Sequence, residues 1–217
     1  PSKSLTNRYL VLALLARRPV TIERPLLAED TRLLLAALGR CGLTVEESPG
    51  QVRIAPHRSP AGEVEIFCGN GGTMLRFLVA ALAVVPGRYR LDGVPRLRQR
   101  PVGPLVAALR RLGAEITWLG SPGFAPLAIA GGTLEGGTTA LDAGESSQYL
   151  SALLLAALAA PRPVTVEVAA LTSEPYIEVT LAAAALFGGR IEPLPATAGT
   201  RGYRIWPSAL AASRVRV

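Results

Sequence analysis

The amino-acid sequence repeats one pattern three times, and this repeat restricts the possible folds more than any other feature. Three apolar helix candidates each follow a turn of small or polar residues: SKSLTNRYLVLALLA, NGGTMLRFLVAALAVV and ESSQYLSALLLAALAA. A strand-like run follows each one (VTIERP, YRLDGV, VTVEVA), and then a second helix that ends near Gly42, Gly113 or Gly188. Glycine tolerates the left-handed conformation that closes many helices. These glycines are 71 and 75 residues apart, which sets the period of the repeat.

Two further strand candidates close each repeat: LTVEES with QVRIAP, AEITWL with PLAIAG, and RIEPLP with GYRIWP. They alternate or are β-branched, as half-buried strands are. Each unit therefore has the order βαβαββ, and the fold class is α/β. The runs LVLALLA and LSALLLAALAA are apolar on nearly all faces, which predicts buried helices. We expect a single domain of three units, about 1–62, 63–131 and 132–217, around a pseudo-threefold axis with helices inside and sheets outside.

Charge and cysteine content exclude several classes of protein. The net charge is +7, but the arginines are scattered and aromatic residues make up only 5% of the chain, so we expect no nucleic-acid partner. Two cysteines, Cys41 and Cys68, form neither a disulfide framework nor a metal-ligand pattern, which predicts no metal and a reducing, cytoplasmic location. The apolar run 9–16 is too short to cross a bilayer, so we predict a buried helix and no membrane partner.

The starts of the three apolar helices are candidate anion sites. A helix N-terminus offers unpaired N–H groups and a partial positive charge. Ser2-Lys3-Ser4 adds a cation and two hydroxyls to one start, and Ser146-Ser147-Gln148 adds two hydroxyls and an amide to another. The segment 69–73, GNGGT, lets a ligand approach the backbone. A serine at a helix start is also a common cap, so both interpretations stay open.

Arginines supply the second candidate feature. Arg8 and Arg76 interrupt otherwise apolar helices, and each could either lie at the edge of the core or bind a carboxylate with its forked guanidinium. Arg96, Arg98 and Arg100 alternate in PRLRQRP, which predicts that they share one side of an extended segment.

Five motifs occur in one order along the chain: SKSLTNR, GNGGTMLR, DGVPRLRQRPVGPL, ESSQYLSALL and SEPYIEVT. In these motifs the chain resembles the EPSP synthase (5-enolpyruvylshikimate-3-phosphate synthase) family, from residue 1 to about residue 207. The resemblance implies one lobe of a two-lobed inside-out α/β barrel, each lobe with three βαβαββ units. It also implies transfer of the enolpyruvyl group of phosphoenolpyruvate to the 5-hydroxyl of shikimate 3-phosphate, a step of aromatic amino acid biosynthesis that uses no cofactor.

The resemblance implies roles for individual residues at the shikimate-3-phosphate site. Ser4 and Arg8 would hold the shikimate carboxylate, and Lys3 would lie between the two substrates as the catalytic candidate. The remaining residues implied at this site are the phosphate-binding Ser146, Ser147 and Ser173, Gln148 under the ring, and Tyr176 beside it.

A smaller set would contact phosphoenolpyruvate. Gly72 and Arg100 would bind it, Asn70 would shape the glycine loop, and Lys3 and Gln148 would contact both substrates. Two departures from the family pattern bear on these two sites. Residues 75–77 are Leu-Arg-Phe where many members have Met-Arg-Pro. In addition, Glu145 places a carboxylate directly before the phosphate serines, which should weaken anion binding unless it points away.

The family is about twice as long as this chain. The resemblance implies a second lobe, in cis or in trans, that supplies an Asp and a Glu for proton transfer, so we expect negligible turnover from this chain alone. The alternatives are a non-catalytic module that binds shikimate 3-phosphate, an enolpyruvyl transferase for a UDP-sugar, or an RNA-end-processing protein with related repeats. The Ser-Lys-Ser and Ser-Ser-Gln motifs argue against the last two.

Overall fold

The computed structural model describes residues 2–56, 60, 62–197 and 200–217, and it confirms the predicted succession of helices and strands. The helices are α1 (Lys3–Ala16), α2 (Glu29–Arg40), α3 (Gly72–Val84), α4 (Gly103–Arg111), α5 (Ser147–Ala157) and α6 (Pro175–Leu186). The strands are β1 (Val20–Glu23), β2 (Leu43–Ser48), β3 (Gln51–Pro56), β4 (Glu63–Phe67), β5 (Gly87–Asp92), β6 (Glu115–Trp118), β7 (Leu127–Gly131), β8 (Gly137–Ala143), β9 (Val164–Leu171), β10 (Arg190–Thr197), β11 (Thr200–Trp206) and β12 (Arg214–Arg216).

The strands form three sheets of the same design. Their orders are β12-β1-β3-β2, β4-β5-β7-β6 and β8-β9-β11-β10. In each sheet the first pair is parallel and the other two pairs are antiparallel. Two of the parallel pairs, β4 with β5 and β8 with β9, are each joined through one helix, as a crossover connection requires. The predicted α/β architecture of three βαβαββ-type units is confirmed.

One strand joins a sheet far from its place in the sequence. β12 lies within the range 132–217 of the third repeat, but it pairs in parallel with β1, so that Ile22 lies opposite Val215. β4 and β8, the strands at the same edge of the other two sheets, each lead directly into an inner helix. β12 therefore supplies the first sheet with the edge strand that β4 and β8 supply to theirs.

The inner helices α1, α3 and α5 pack against one another and form the centre of the core. Leu10, Leu12, Leu78, Leu82 and Leu153 have no exposed surface, and α1 is buried from Thr6 to Ala16. The apolar run 9–16 is therefore a core helix, as predicted. None of the helices in the described ranges combines the length and apolar character that a membrane crossing requires.

The second helix of each unit ends as the glycines predict. Gly42, Gly113 and Gly188 have φ angles of 90°, 97° and 82°, and each is the second residue after its helix. A residue with a Cβ is strained in this left-handed conformation, so glycine is favoured at all three positions.

The arginine segment before α4 is not extended, and that prediction is wrong. Leu97–Gln99 form a single 3-10 turn, in which the Leu97 and Arg98 N–H groups donate to the Val94 carbonyl. The turn forms because it buries Leu97 completely. Arg98 pairs with Asp92 through Nη2 and Oδ2, 2.6 Å apart, and Arg96 lies outside the cleft described below.

Candidate functional site

The first turns of α1, α3 and α5 and the segment leading into α6 border one cleft of about 470 Å³. Because helix N-termini carry partial positive charge and unpaired N–H groups, four helices converging on one cleft favour an anionic ligand. The lining residues are Lys3, Ser4, Asn7, Arg8, Thr73, Phe77, Glu145, Ser146, Ser147, Gln148, Thr172, Ser173 and Tyr176.

All the residues predicted for the shikimate-3-phosphate site line this cleft, although they come from segments more than 140 residues apart. The residues predicted only for phosphoenolpyruvate, namely Asn70, Gly72 and Arg100, do not line it. They lie beside it at the start of α3, where Gly72 is followed directly by the lining residue Thr73.

Arg8 forms the floor of the cleft, and only 3% of its surface is exposed. Its Nε donates to Thr180 Oγ1 at 2.8 Å and its Nη1 to the Ser4 carbonyl at 2.9 Å. Its Nη2 donates to the Tyr176 carbonyl at 2.9 Å and to Ser151 Oγ at 3.2 Å. These bonds hold the guanidinium in one orientation across α1, α5 and α6.

No carboxylate among the described residues pairs with Arg8, so its charge is buried without a counter-ion. Burial lowers the pKa of Arg8 to about 10. An unpaired buried charge costs free energy, and an anion entering the cleft would offset that cost. The site therefore favours a carboxylate or phosphate near Arg8.

The two serines at the start of α5 have different environments. Ser146 is the N-cap, and its Oγ accepts from the Gln148 backbone N–H at 3.3 Å and from Arg76 Nη1 at 3.2 Å. Ser147 is 5% exposed, and its hydroxyl has no hydrogen-bond partner within the described part of the chain. Ser147 thus leaves a hydroxyl available to the cleft, whereas Ser146 also has a structural role.

Gln148 bridges α5 and α3. Its Oε1 accepts from Arg76 Nη1 at 2.8 Å, and its Nε2 donates to Thr73 Oγ1 at 2.9 Å. Arg76 does not line the cleft. Its Nη2 donates to the Pro101 carbonyl at 3.1 Å. The guanidinium of Arg76 therefore makes its hydrogen bonds within the protein.

Ser173 has a φ of 55°, in the left-handed region that disfavours residues with a Cβ. It lies two residues before the start of α6, and its carbonyl accepts from the Tyr176 N–H at 3.1 Å. Tyr176 is 50% exposed at the rim of the cleft. Strained backbone of this kind is concentrated at functional sites, which supports a role for Ser173.

Two acidic residues lie near the cations of the cleft. Lys3 Nζ pairs with Asp30 Oδ2 at 3.0 Å, which ties it to the first turn of α2. Glu145 is exposed and lines the cleft, and its Oε2 accepts from the Tyr149 hydroxyl at 3.3 Å. Its carboxylate therefore does lie beside the predicted phosphate serines.

The glycine loop lets Arg100 approach the start of α3. An ideal Cβ built on Gly72 would lie 3.0 Å from Arg100 Nη1 and 3.1 Å from its Cδ. A side chain at this position would displace the guanidinium, so the absence of a Cβ permits the contact. The Asn70 carbonyl accepts from the Gly72 N–H at 3.1 Å and shapes the turn.

Sequence reasoning missed Asn7, Thr73, Phe77 and Thr172 among the lining residues. Asn7 is 3% exposed, and its Oδ1 has no hydrogen-bond partner among the described residues. The spacing of four residues could have found it, because Lys3 and Asn7 share a helix face just as Ser4 and Arg8 do. Thr73 and Thr172 adjoin predicted residues, but Phe77 gives no polar signal.

A larger groove of about 530 Å³ lies between α2 and the β4–β5 edge. It contains none of the predicted site residues and mixes both signs of charge, with Arg40 and Arg90 facing Glu65 and Asp92. Its size alone does not make it the better candidate, because it lacks the converging helix starts of the first cleft.

Comparisons with known proteins agree with this architecture. Residues 1–209 match the family model described as EPSP synthase (3-phosphoshikimate 1-carboxyvinyltransferase). A 3-phosphoshikimate 1-carboxyvinyltransferase of Bordetella avium is 47% identical over 195 residues, covering 86% of this chain and 44% of that protein. The 3-phosphoshikimate 1-carboxyvinyltransferase of Nitrosomonas europaea is 42% identical, and the match covers 88% of this chain and 45% of that protein. The solved structure of an EPSP synthase from Acinetobacter baumannii superposes on this chain with a TM-score of 0.81 and 25% sequence identity. The match covers all of this chain and 48% of the Acinetobacter baumannii chain. The chain thus spans about half the length of these relatives.

Proposed function

The chain belongs to the EPSP synthase family, and we propose on that premise that it forms the shikimate-3-phosphate half of a 3-phosphoshikimate 1-carboxyvinyltransferase. The observation that carries the proposal is the unpaired buried charge of Arg8, which lines the same cleft as the N-terminal end of α5. These two positive sites suit a small ligand with two anionic groups, and shikimate 3-phosphate has a carboxylate and a phosphate.

In this proposal Ser4 and Arg8 bind the carboxylate of shikimate 3-phosphate. The phosphate lies at the start of α5, where it accepts hydrogen bonds from serine hydroxyls and backbone N–H groups. Gln148, held by Arg76 and Thr73, lies under the ring, and Tyr176 closes the rim. The residues assigned to the phosphate are Ser146, Ser147 and Ser173.

Phosphoenolpyruvate would bind next to this site, against Gly72 and Arg100, with Asn70 shaping the loop. Lys3 lies between the two substrates, where its ammonium offsets the repulsion between two multiply charged anions. The 5-hydroxyl oxygen forms a bond to C2 of phosphoenolpyruvate and loses its own proton, while C3 gains a proton and the C2–C3 double bond becomes a single bond. Phosphate then leaves from C2 and C3 loses a proton, which restores the double bond on the transferred group. These steps need no metal or organic cofactor.

The proton transfers are assigned to an Asp and a Glu of a second lobe, joined in cis or in trans. We therefore expect negligible turnover when the purified chain is mixed with both substrates. Phosphate release at a rate typical of enzymes would contradict this assignment. Addition of a separately produced second lobe should restore turnover, whereas a purely non-catalytic binding module would stay inactive.

Calorimetric titration with shikimate 3-phosphate is the direct test, with shikimate and a UDP-sugar as comparison ligands. Binding that requires the 3-phosphate supports the proposal. Binding of the UDP-sugar in its place would move the chain to a related enolpyruvyl transferase. Absence of binding by all three would contradict a preformed half-site.

We also propose a cytoplasmic location for the protein. Cys41 and Cys68 are buried free thiols, which suits a reducing compartment. Fractionation of the producing cells, with detection of the chain, tests this assignment.

A further inference from the structure

Arg76 on α3 contacts two separate segments beside the cleft. Its Nη1 donates to Gln148 Oε1 at 2.8 Å and to Ser146 Oγ at 3.2 Å, both at the start of α5. Its Nη2 and Nε donate to the Pro101 carbonyl at 3.1 and 3.4 Å. One planar guanidinium therefore holds the start of α5 and the segment that carries Arg100 in a common arrangement.

Tyr149 completes this arrangement from the other side. The guanidinium of Arg76 lies 4.9 Å from the centre of the buried Tyr149 ring. The Tyr149 hydroxyl donates to the same Pro101 carbonyl at 2.9 Å, and the more distant Glu145 Oε2, at 3.3 Å, shares its single proton. Pro101 follows Arg100, which packs against Gly72. Both proposed substrate sites thus depend on contacts made by Arg76 and Tyr149.

The chemistry of arginine also determines how Gln148 is oriented. A guanidinium only donates hydrogen bonds, so the atom of Gln148 that faces Arg76 must be the oxygen. The amide NH₂ group then faces Thr73, where Nε2 donates to Oγ1 at 2.9 Å. Without Arg76, either orientation of the Gln148 amide becomes accessible, and the donor that faces Thr73 and the cleft is no longer defined.

We propose that Arg76 is a positioning residue, which orients Gln148 and couples the start of α5 to the Arg100–Pro101 segment, and does not itself bind a substrate anion. This rests on the proposed function, because the ligand whose binding it supports is shikimate 3-phosphate. The donors of Arg76 are engaged within the protein, and it does not line the cleft.

Arg110 provides a matched control. It is also a helical arginine whose Nε donates to a backbone carbonyl, that of Ile116 at 3.0 Å, and whose guanidinium lies 5.4 Å from the centre of an aromatic ring, that of Trp118. It lies outside the cleft. Arg110→Met therefore removes similar packing contacts without disturbing Gln148.

The first experiment needs no ligand. In the full chain, the side-chain NH₂ signals of Gln148 are assigned by nuclear magnetic resonance from their loss in Gln148→Leu. We expect slow hydrogen exchange and dispersed shifts in the wild type and in Arg110→Met. We expect solvent-like shifts and fast exchange in Arg76→Met. Unchanged Gln148 signals in a folded Arg76→Met would overturn the inference.

The second experiment measures shikimate 3-phosphate affinity. Arg76→Met should bind about tenfold more weakly, since the ligand must also order the amide. Arg76→Lys should not restore affinity, because one ammonium cannot hold both Gln148 and Pro101. In the Gln148→Leu background, Arg76→Met should have a smaller effect, and a full independent tenfold loss would contradict action through Gln148. If the wild type binds no shikimate 3-phosphate, the proposed function fails, while the Gln148 signals still decide the inference.

Discussion

Neighbouring residues of one type have different roles in this cleft, and the difference arises from their hydrogen bonds. Ser146 and Ser147 are adjacent in the sequence, and either could cap α5. The structure gives the cap to Ser146 and leaves the hydroxyl of Ser147 without a partner in the described residues. The sequence could not distinguish them, because a helix boundary shifted by one residue exchanges their roles.

Ser147→Ala should weaken shikimate 3-phosphate binding by about 1–3 kcal/mol, the range for a hydrogen bond to a charged group. Stability should change little, since no protein hydrogen bond is lost. Calorimetry and thermal unfolding measure the two effects. Ser208→Ala is the control. The Ser208 hydroxyl donates to the Trp206 carbonyl and does not line the cleft, so this variant should lower stability without affecting affinity. Unchanged affinity in Ser147→Ala would mean that Ser147 does not bind the ligand and has only a structural role at the start of α5.

Ser173→Gly should raise stability and lower ligand affinity. Glycine adopts the φ of 55° without strain, which contributes up to about 1 kcal/mol, but the variant lacks the hydroxyl. Ser173→Ala also loses the hydroxyl but keeps the strain, so its affinity should fall without the gain in stability. Arg17→Gly, at a φ of 51° outside the cleft, should raise stability alone. Equal melting temperatures for Ser173→Gly and Ser173→Ala would contradict the prediction that the backbone at residue 173 is strained.

At the scale of helices and strands, local sequence patterns predicted most elements correctly. Apolar runs gave the inner helices, and alternation with β-branched residues gave β2 with β3, β6 with β7, and β10 with β11. The prediction for the arginine segment before α4 was wrong. Its alternating arginines suggested an extended chain, whereas the burial of Leu97 favours a tight turn. The position of β12 was also missed, because strand pairing between distant segments leaves no local pattern.

The short strand β12 offers a test of that long-range pairing. Val215 is 3% exposed and lies opposite Ile22 of β1. Val215→Ala should lower the free energy of unfolding by about 1–2 kcal/mol, because buried methyl groups are lost. Arg216→Ala, the exposed neighbour on the other face, should change it by less than about 0.5 kcal/mol. Chemical denaturation of both variants measures the difference, and equal values would mean that β12 contributes little to the core.

At the scale of the whole molecule, burial alters the acid–base behaviour of the core. Burial raises the pKa of the Cys41 and Cys68 thiols to about 12 from an ordinary value of 9.0. The unfolded chain loses the two thiol protons near pH 9, whereas the folded protein keeps them until about pH 12. Between these two pH values the unfolded state therefore binds fewer protons than the folded state. The stability that the neutral thiols contribute is therefore present below pH 9 and is lost as the pH rises toward 12.

We accordingly expect the free energy of unfolding to fall from about pH 9 upward, by at most about 1.4 kcal/mol per pH unit for each thiol. Denaturant titrations between pH 7.5 and 10, under reducing conditions, measure the slope. The double variant Cys41→Ala with Cys68→Ala should show a shallower slope. The window ends at pH 10, because burial lowers the pKa of Arg8 toward this value and a lowered pKa of a cation acts in the opposite direction. The same slope in both proteins would contradict burial of the thiols.

The sequence by itself determined the threefold α/β repeat, the buried inner helices, the helix-ending glycines and the residues of the candidate cleft that lie in local motifs. These features depend on periodicity and on backbone preferences, which act over a few residues. Only the tertiary structure decided that four helix starts meet in one cleft, that Arg8 is buried without a carboxylate partner, and that Arg76 binds Gln148 and Pro101. It also decided that β12 pairs with β1. These features depend on contacts between residues 25 to almost 200 positions apart, and such contacts are set by packing of the whole core.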